Sequence, residues 1–227
     1  MGKGRLIILE GGDASGKATQ TRQLEARLKG EGRAVQRVEF PDYDAPSSAL
    51  VKLYLSGAFG KEAAAVSPYA ASVFFAVDRY ASYHMKWKAH YEGGGIVLAD
   101  RYTTSNMVHQ AVKIAGEAAR EEYIAWLADF EYEKLGLPRP DGVIFLDMEP
   151  AVSDRLMAAR RESEGREDIH EADRAYLHRC HETYQAIAAR FGWRRILCSA
   201  GGAPRPASEI AGEVYAAALA MMEETTG

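Results

Sequence analysis

The chain has 227 residues, 47% of them hydrophobic, enough to bury a sizeable core as a single α/β domain over 1-227. A formal net charge of −4 and a pI near 5.9 deny it the positive field needed to wrap a nucleic-acid backbone, so nucleic acid is not expected as the main partner. The only two cysteines, Cys180 and Cys198, lack the spacing of a metal site or disulfide framework and suit a reducing cytoplasm. No apolar run reaches the length of an export signal or membrane span, so no membrane association is expected.

The first element is the apolar run "RLIILE" (5–10), followed by "GGDASGKATQTRQLEARL". A buried strand, a glycine-rich turn and a helix beginning near Gly16 form an anion site. Glycines let backbone N–H groups turn inward, the helix N-terminus contributes its positive end, and Lys17 reaches the outer phosphates. Gly11, Gly12, Asp13, Ala14, Ser15, Gly16, Lys17, Ala18 and Thr19 are therefore the phosphate-binding candidates. Ala18 stands where such loops carry a serine or threonine hydroxyl that touches Mg2+. Thr19 does not simply replace it, because the next position on a helix is rotated by about 100°.

Further apolar runs follow at "AVQRVEF" (34–40), "GIVLAD" (95–100), "DGVIFLD" (141–147) and "RRILCSA" (194–200). Continuous runs of this length suit strands buried on both faces, hence a parallel sheet. The helical spacing between them suits right-handed crossovers in a doubly wound fold. Ser67 reads as N-cap and Pro68 as first residue of a long helix to about 92, stopped by Gly93 to Gly95. Helical patterns also run near 103 to 116, 118 to 135 and 207 to 222. The third run delivers Asp100 and Arg101 to the ligand edge of the sheet. A carboxylate there binds a metal directly or through water, which makes Asp100 the metal candidate, and Arg101 offers a planar fork to a phosphate. Phe75 and Arg79, four residues apart, share one helical face; the apolar run "VFFAV" by itself reads Phe75 as core, although a guanidinium beside the ring is odd for a core. The charged stretch around 155–172 lacks a sustained apolar face and reads as a lid.

In order and spacing, "LEGGDASGKATQ", "EFPDYD", "FFAVDRY", "LADRYTTSN" and the charged lid resemble the thymidylate kinase family over nearly the whole chain. The resemblance implies a three-layer phosphate-loop NTPase fold with a five-stranded parallel sheet, and transfer of a phosphoryl group from ATP to dTMP with Mg2+ as cofactor. It implies that Phe75 stacks on thymine, that Arg79 and Asn106 hydrogen-bond the base, and that Arg101 with the Phe40-Pro41 turn holds the dTMP phosphate. Asp13 would lie near the sugar 3′-hydroxyl and the reacting phosphates. Tyr43, Tyr102 and Ser105 fall in the same motifs as further substrate-contact candidates; for the two tyrosines, ordinary packing competes with ligand contact. Where one subgroup of the family has an arginine after the loop aspartate, this chain has Ala14. That shifts the catalytic arginine to the lid, where Arg160 and Arg166 are the first choices beside Arg155 and Arg161. A homodimer is also implied. Two alternatives stay open: a kinase for another pyrimidine monophosphate or a nucleoside, and a nucleotide-binding regulator that has lost turnover through Ala18.

Overall fold

Three of the apolar runs fold into central strands with no exposed residue, and the two outer ones into edge strands that are partly exposed. The computed structural model describes residues 3–164 and 173–223. Strands β1 (Arg5–Gly11), β2 (Val35–Glu39), β3 (Ile96–Asp100), β4 (Gly142–Asp147) and β5 (Arg194–Leu197) pair in the order β2-β3-β1-β4-β5, all parallel. Successive side chains point to opposite faces. Leu6 and Ile8 therefore join one core with Val97, Phe145, Tyr123 and Tyr184, while Ile7 and Leu9 join the other with Leu98, Ile144, Leu24 and Val214. Two cores divided by one sheet make a three-layer fold, as the sequence predicts.

The helices are α1 (Lys17–Gly30), α2 (Ala49–Leu55), α3 (Pro68–Ser82), α4 (Lys88–Glu92), α5 (Thr103–His109), α6 (Glu117–Ala128), α7 (Pro150–Glu164), α8 (Arg174–Arg190) and α9 (Ala207–Glu223). Ser67 caps α3, its side chain accepting from the Ala70 N–H at 3.2 Å. Three boundaries differ from the sequence expectation. The run expected to 92 stays helical but widens into a π turn over Tyr83–Trp87, which lets Tyr83 and Trp87 both face the core with rings 4.6 Å apart. The helix expected to 116 stops at His109 and tightens into a 3-10 turn, Ala111–Lys113, before Ile114 turns extended. The last apolar run splits after Leu197, because the left-handed pair Gly201 and Gly202 reverses the chain into a hairpin of β6 (Ser199–Ala200) and β7 (Ala203–Pro204). No helix among the described residues is long and apolar enough to cross a membrane.

Candidate active site

Where β1 ends, the chain makes a turn that only small residues allow. Gly16 is left-handed (φ 88°), and a side chain at Gly11 would meet the Leu146 carbonyl oxygen at 2.7 Å. Ala14 is also left-handed, at φ 55°. α1 opens with no side-chain cap and no acidic residue in its first turn, so its N-terminal positive end faces the loop uncompensated. Lys17 is buried and its Nζ donates to the Gly12 carbonyl at 2.8 Å. Burial first, and Arg101 second, pull its pKa down to about 8 against the opposing pull of Asp13, Asp100 and Glu10. A bound phosphate restores the charge balance and raises that value again. Binding of a triphosphate nucleotide should therefore take up protons above pH 8 and hardly any near pH 7. Titration calorimetry in buffers of different ionisation enthalpy measures this, and uptake indifferent to pH would contradict it.

β3 carries Asp100 and Arg101 to the same edge. Arg101 adopts a left-handed backbone (φ 67°), a costly conformation for a non-glycine residue that aims its side chain across the cleft. Its Nη2 donates to Asp13 Oδ1 at 2.8 Å, and its Nη1 lies 3.3 Å from both Tyr184 Oη and His109 Nε2 and 3.4 Å from Ser105 Oγ. A guanidinium offers no lone pair, so His109 Nε2 accepts and the imidazole proton sits on Nδ1. Behind this array lies Glu10, fully buried at the end of β1, which accepts from Thr104 (2.6 Å), Ser105 (2.9 Å) and Tyr184 (3.0 Å). The Asp100 carboxylate is different: it lines the cleft and has no hydrogen bond or ion pair among the described residues.

The cleft beyond Arg101 encloses about 330 Å3. Phe75 lines it, supported from behind by the edge of Tyr54 at 6.1 Å. Arg79 is buried, and its guanidinium is gripped by Glu131, Nε to Oε2 at 2.7 Å and Nη2 to Oε1 at 2.5 Å, with a longer 3.4 Å contact from Nη2 to Asn106 Oδ1. Burial opposes the Arg79 cation, but Glu131 outweighs it and the pKa is raised. Asn106 and Gln110, one helical turn apart, both line the cleft; Asn106 Nδ2 and Gln110 Oε1 are buried without a partner among the described residues. Phe40 and Tyr102 line it too, but their rings belong to the core 5.9 Å apart, and the Tyr102 hydroxyl donates to the Pro138 carbonyl. Tyr43 stands half exposed at the mouth, and Pro41 follows a cis peptide bond. The turn is tied to α3 by Asp78, which accepts from the Asp42 N–H at 2.8 Å and Ser47 Oγ at 2.6 Å. Asp42 itself pairs with Lys86.

A larger groove of about 980 Å3 opens among α6, α8 and α9. It is lined by the starts of β4 and β5, whereas ligands of open α/β sheets bind at the strands' carboxyl ends, where the smaller cleft lies. The phosphate loop, the Asp13-Arg101 pair and the half-apolar cleft thus form one continuous site.

The family model described as thymidylate kinase matches residues 9–202. The chain belongs to the thymidylate kinase family. Among its relatives, the thymidylate kinase of Leifsonia xyli subsp. xyli is 35% identical over 216 residues, covering 93% of this chain and 92% of that one. The thymidylate kinase of Mycobacterium tuberculosis is 31% identical over 191 residues, or 83% and 87% of the two chains. A solved structure of thymidylate kinase from Candida albicans superposes with a TM-score of 0.70 at 20% identity, over 94% of this chain and 90% of that one, and so shares the fold. As a thymidylate kinase family member, the chain is a phosphotransferase.

The lid expectations meet the structure unevenly in this thymidylate kinase family member. Arg155, on α7, donates to the Gly202 carbonyl in the β6–β7 turn. Arg160 and Arg161 lie on α7, but their side chains are outside the described residues, as is Arg166 altogether. The base of α7 nevertheless touches the phosphate loop, because Ser153 Oγ donates to the Asp13 carbonyl at 2.7 Å. Glu10, Asp78, Gln110, Glu131 and Tyr184 are site residues that motif reading passes over. Glu10 stands out in the sequence only as a charge directly after the apolar run Leu6 to Leu9, and nothing there shows what it pairs with.

Proposed function

We infer that this thymidylate kinase family member transfers the γ-phosphoryl group of ATP to dTMP, giving dTDP and ADP. The observation that carries the acceptor assignment is the pair of buried, unpartnered amide atoms beside Phe75: Asn106 Nδ2 is a donor and Gln110 Oε1 an acceptor. A base presenting a carbonyl next to a ring N–H satisfies both, whereas a ring nitrogen that carries a lone pair in place of that N–H leaves Gln110 Oε1 without its donor. The aromatic face of Phe75 suits a flat ring, and Arg79 adds a donor that keeps its proton.

At the other end, Lys17 and the loop N–H groups hold the ATP phosphates, and Arg101 with the Phe40-Pro41 turn holds the dTMP phosphate. Asp13, paired with Arg101, stands between the two. An acceptor phosphate oxygen attacks the γ-phosphorus while its bond to the β-phosphate oxygen breaks, and ADP leaves. The transition state gathers charge on the equatorial oxygens, so pre-placed cations matter more than any covalent step. The lid arginines Arg160 and Arg166 are proposed to add positive charge there when the lid closes.

Mg2+ fits this site despite Ala18. The Asp100 carboxylate is a hard oxygen donor beside the phosphate loop with no protein partner among the described residues. Asp100 would hold the ion, which would neutralise charge on the transferring phosphoryl group. The two cysteines are free and buried, consistent with the proposed cytoplasmic location.

The test is the rate with dTMP, dUMP, UMP and thymidine at one ATP concentration, read as coupled ADP release. The fastest release should come with dTMP. Preference for thymidine would overturn the acceptor assignment, and ATP binding without dTMP-dependent release would favour a regulator.

A homodimer is also proposed, on one observation. Tyr69, Val73, Val77 and Tyr80 make an exposed apolar stripe along α3, with Leu50 and Leu53 of α2 similarly exposed. These α3 positions recur every three or four residues on a face away from Phe75 and Arg79. Sedimentation should show one species near twice the 24.9 kDa chain mass, and Val77→Glu should halve it. A wild-type monomer at micromolar concentration would rule the dimer out.

A further inference from the structure

The Arg79 guanidinium has five N–H donors, and its described hydrogen bonds spend them on one edge. Nε and Nη2 go to Glu131, Nη2 also reaches toward Asn106, and none uses Nη1. Glu131 is fully buried and is itself fixed twice, by the π turn Asp129–Lys134 that carries it and by Thr103, whose hydroxyl donates to Oε2 at 2.6 Å. A buried arginine on a long flexible stem would otherwise choose among several rotamers, each presenting a different nitrogen to the cleft. Clamped along the Nε–Nη2 edge, it presents Nη1.

The clamp also sets the charge of the cleft. A lone buried guanidinium would make the base end as attractive to a phosphate as the Lys17-Arg101 end. Paired with Glu131, Arg79 becomes a near-neutral donor suited to a carbonyl, and the site keeps its cationic pole at the phosphate loop.

We propose that Glu131 is a positioning residue for acceptor recognition: it orients Arg79 so that Nη1 faces the base, and it cancels the charge that would blur base end and phosphate end. This rests on the reading in which Arg79 contacts the base of dTMP. It adds a residue 52 positions from Arg79, outside every motif of the sequence.

The test compares Glu131→Gln, Arg79→Ala and the double variant for KM of dTMP, KM of ATP and kcat. Glu131→Gln should raise KM for dTMP by about 10-fold, the scale of one well-placed hydrogen bond. KM for ATP should stay within about two-fold, and the substitution should add nothing in the Arg79→Ala background, because it acts through that side chain. An unchanged KM for dTMP in Glu131→Gln, with a raised one in Arg79→Ala, overturns the proposal and leaves the base-contact reading intact. If neither substitution moves it, both fall. Equal rises in both KM values with a lowered Tm would mark a merely structural role and also overturn it. Should Glu131→Gln not fold, Thr103→Val removes only one support of the carboxylate. About a three-fold rise in KM for dTMP is then expected, again the scale of a weakened hydrogen bond, and no rise is the contrary result.

Discussion

Replacing Lys17 with alanine should lower turnover by at least ~100-fold, the loss that follows removal of one pre-organised charge partner from a transition state. The ammonium donates to the Gly12 carbonyl at 2.8 Å, inside the phosphate loop. Its burial costs stability and pulls its pKa to about 8. The sign matters for the control. The folded pKa lies below the ordinary lysine value of 10.5, so the unfolded chain binds the proton more tightly, and this residue's contribution to stability rises with pH between about 8 and 10.5. At pH 7 the buried cation is a net cost, so Lys17→Ala should melt no lower than the wild type. Lost turnover in a protein of unchanged Tm would be lost chemistry. Activity within about 10-fold of wild type would refute the phosphate role assigned to Lys17.

What the sequence reveals of this site follows the range over which its parts interact. The phosphate loop is legible because strand, turn and helix are contiguous, and Gly16 and Lys17 act within that one segment. Phe75 and Arg79 are legible as a pair because a helix places them on one face, and Asp100 and Arg101 because a parallel strand ends there. The Asp100 carboxylate, with no hydrogen bond or ion pair among the described residues, is proposed to supply the oxygen ligand that Ala18 lacks. The supporting carboxylates are illegible for the opposite reason. Glu10 meets Thr104 and Tyr184, Asp78 meets Ser47, and Glu131 meets Arg79, at separations of 94, 174, 31 and 52 residues. No periodicity records such pairings, and a charged residue in a helical stretch reads as surface until the fold buries it. The same limit explains Tyr102, whose place in a binding motif masks a ring packed in the core.

Arg79→Ala should damage the protein in two separable ways. It deletes the donor proposed for the base, so KM for dTMP should rise far more than KM for ATP. It also strands Glu131, fully buried, with only Thr103 left as a donor among the described residues. Breaking a buried pair by removing one partner costs about 3–5 kcal/mol, because the remaining charge has lost its compensation. The single variant therefore confounds recognition with stability. Replacing both partners by apolar residues of similar size, Arg79→Met with Glu131→Leu, removes the uncompensated charge and is often neutral for stability. The double variant should recover the wild-type Tm within a few degrees while dTMP use stays impaired. If it regains dTMP use along with stability, Arg79 serves the fold and not the base. If it stays as unstable as Arg79→Ala, Thr103 or the π turn depends on the carboxylate more than on its arginine. The expected outcome, a stable protein with intact ATP binding and poor dTMP use, places the specificity of the acceptor cleft in a guanidinium that the rest of the fold can do without.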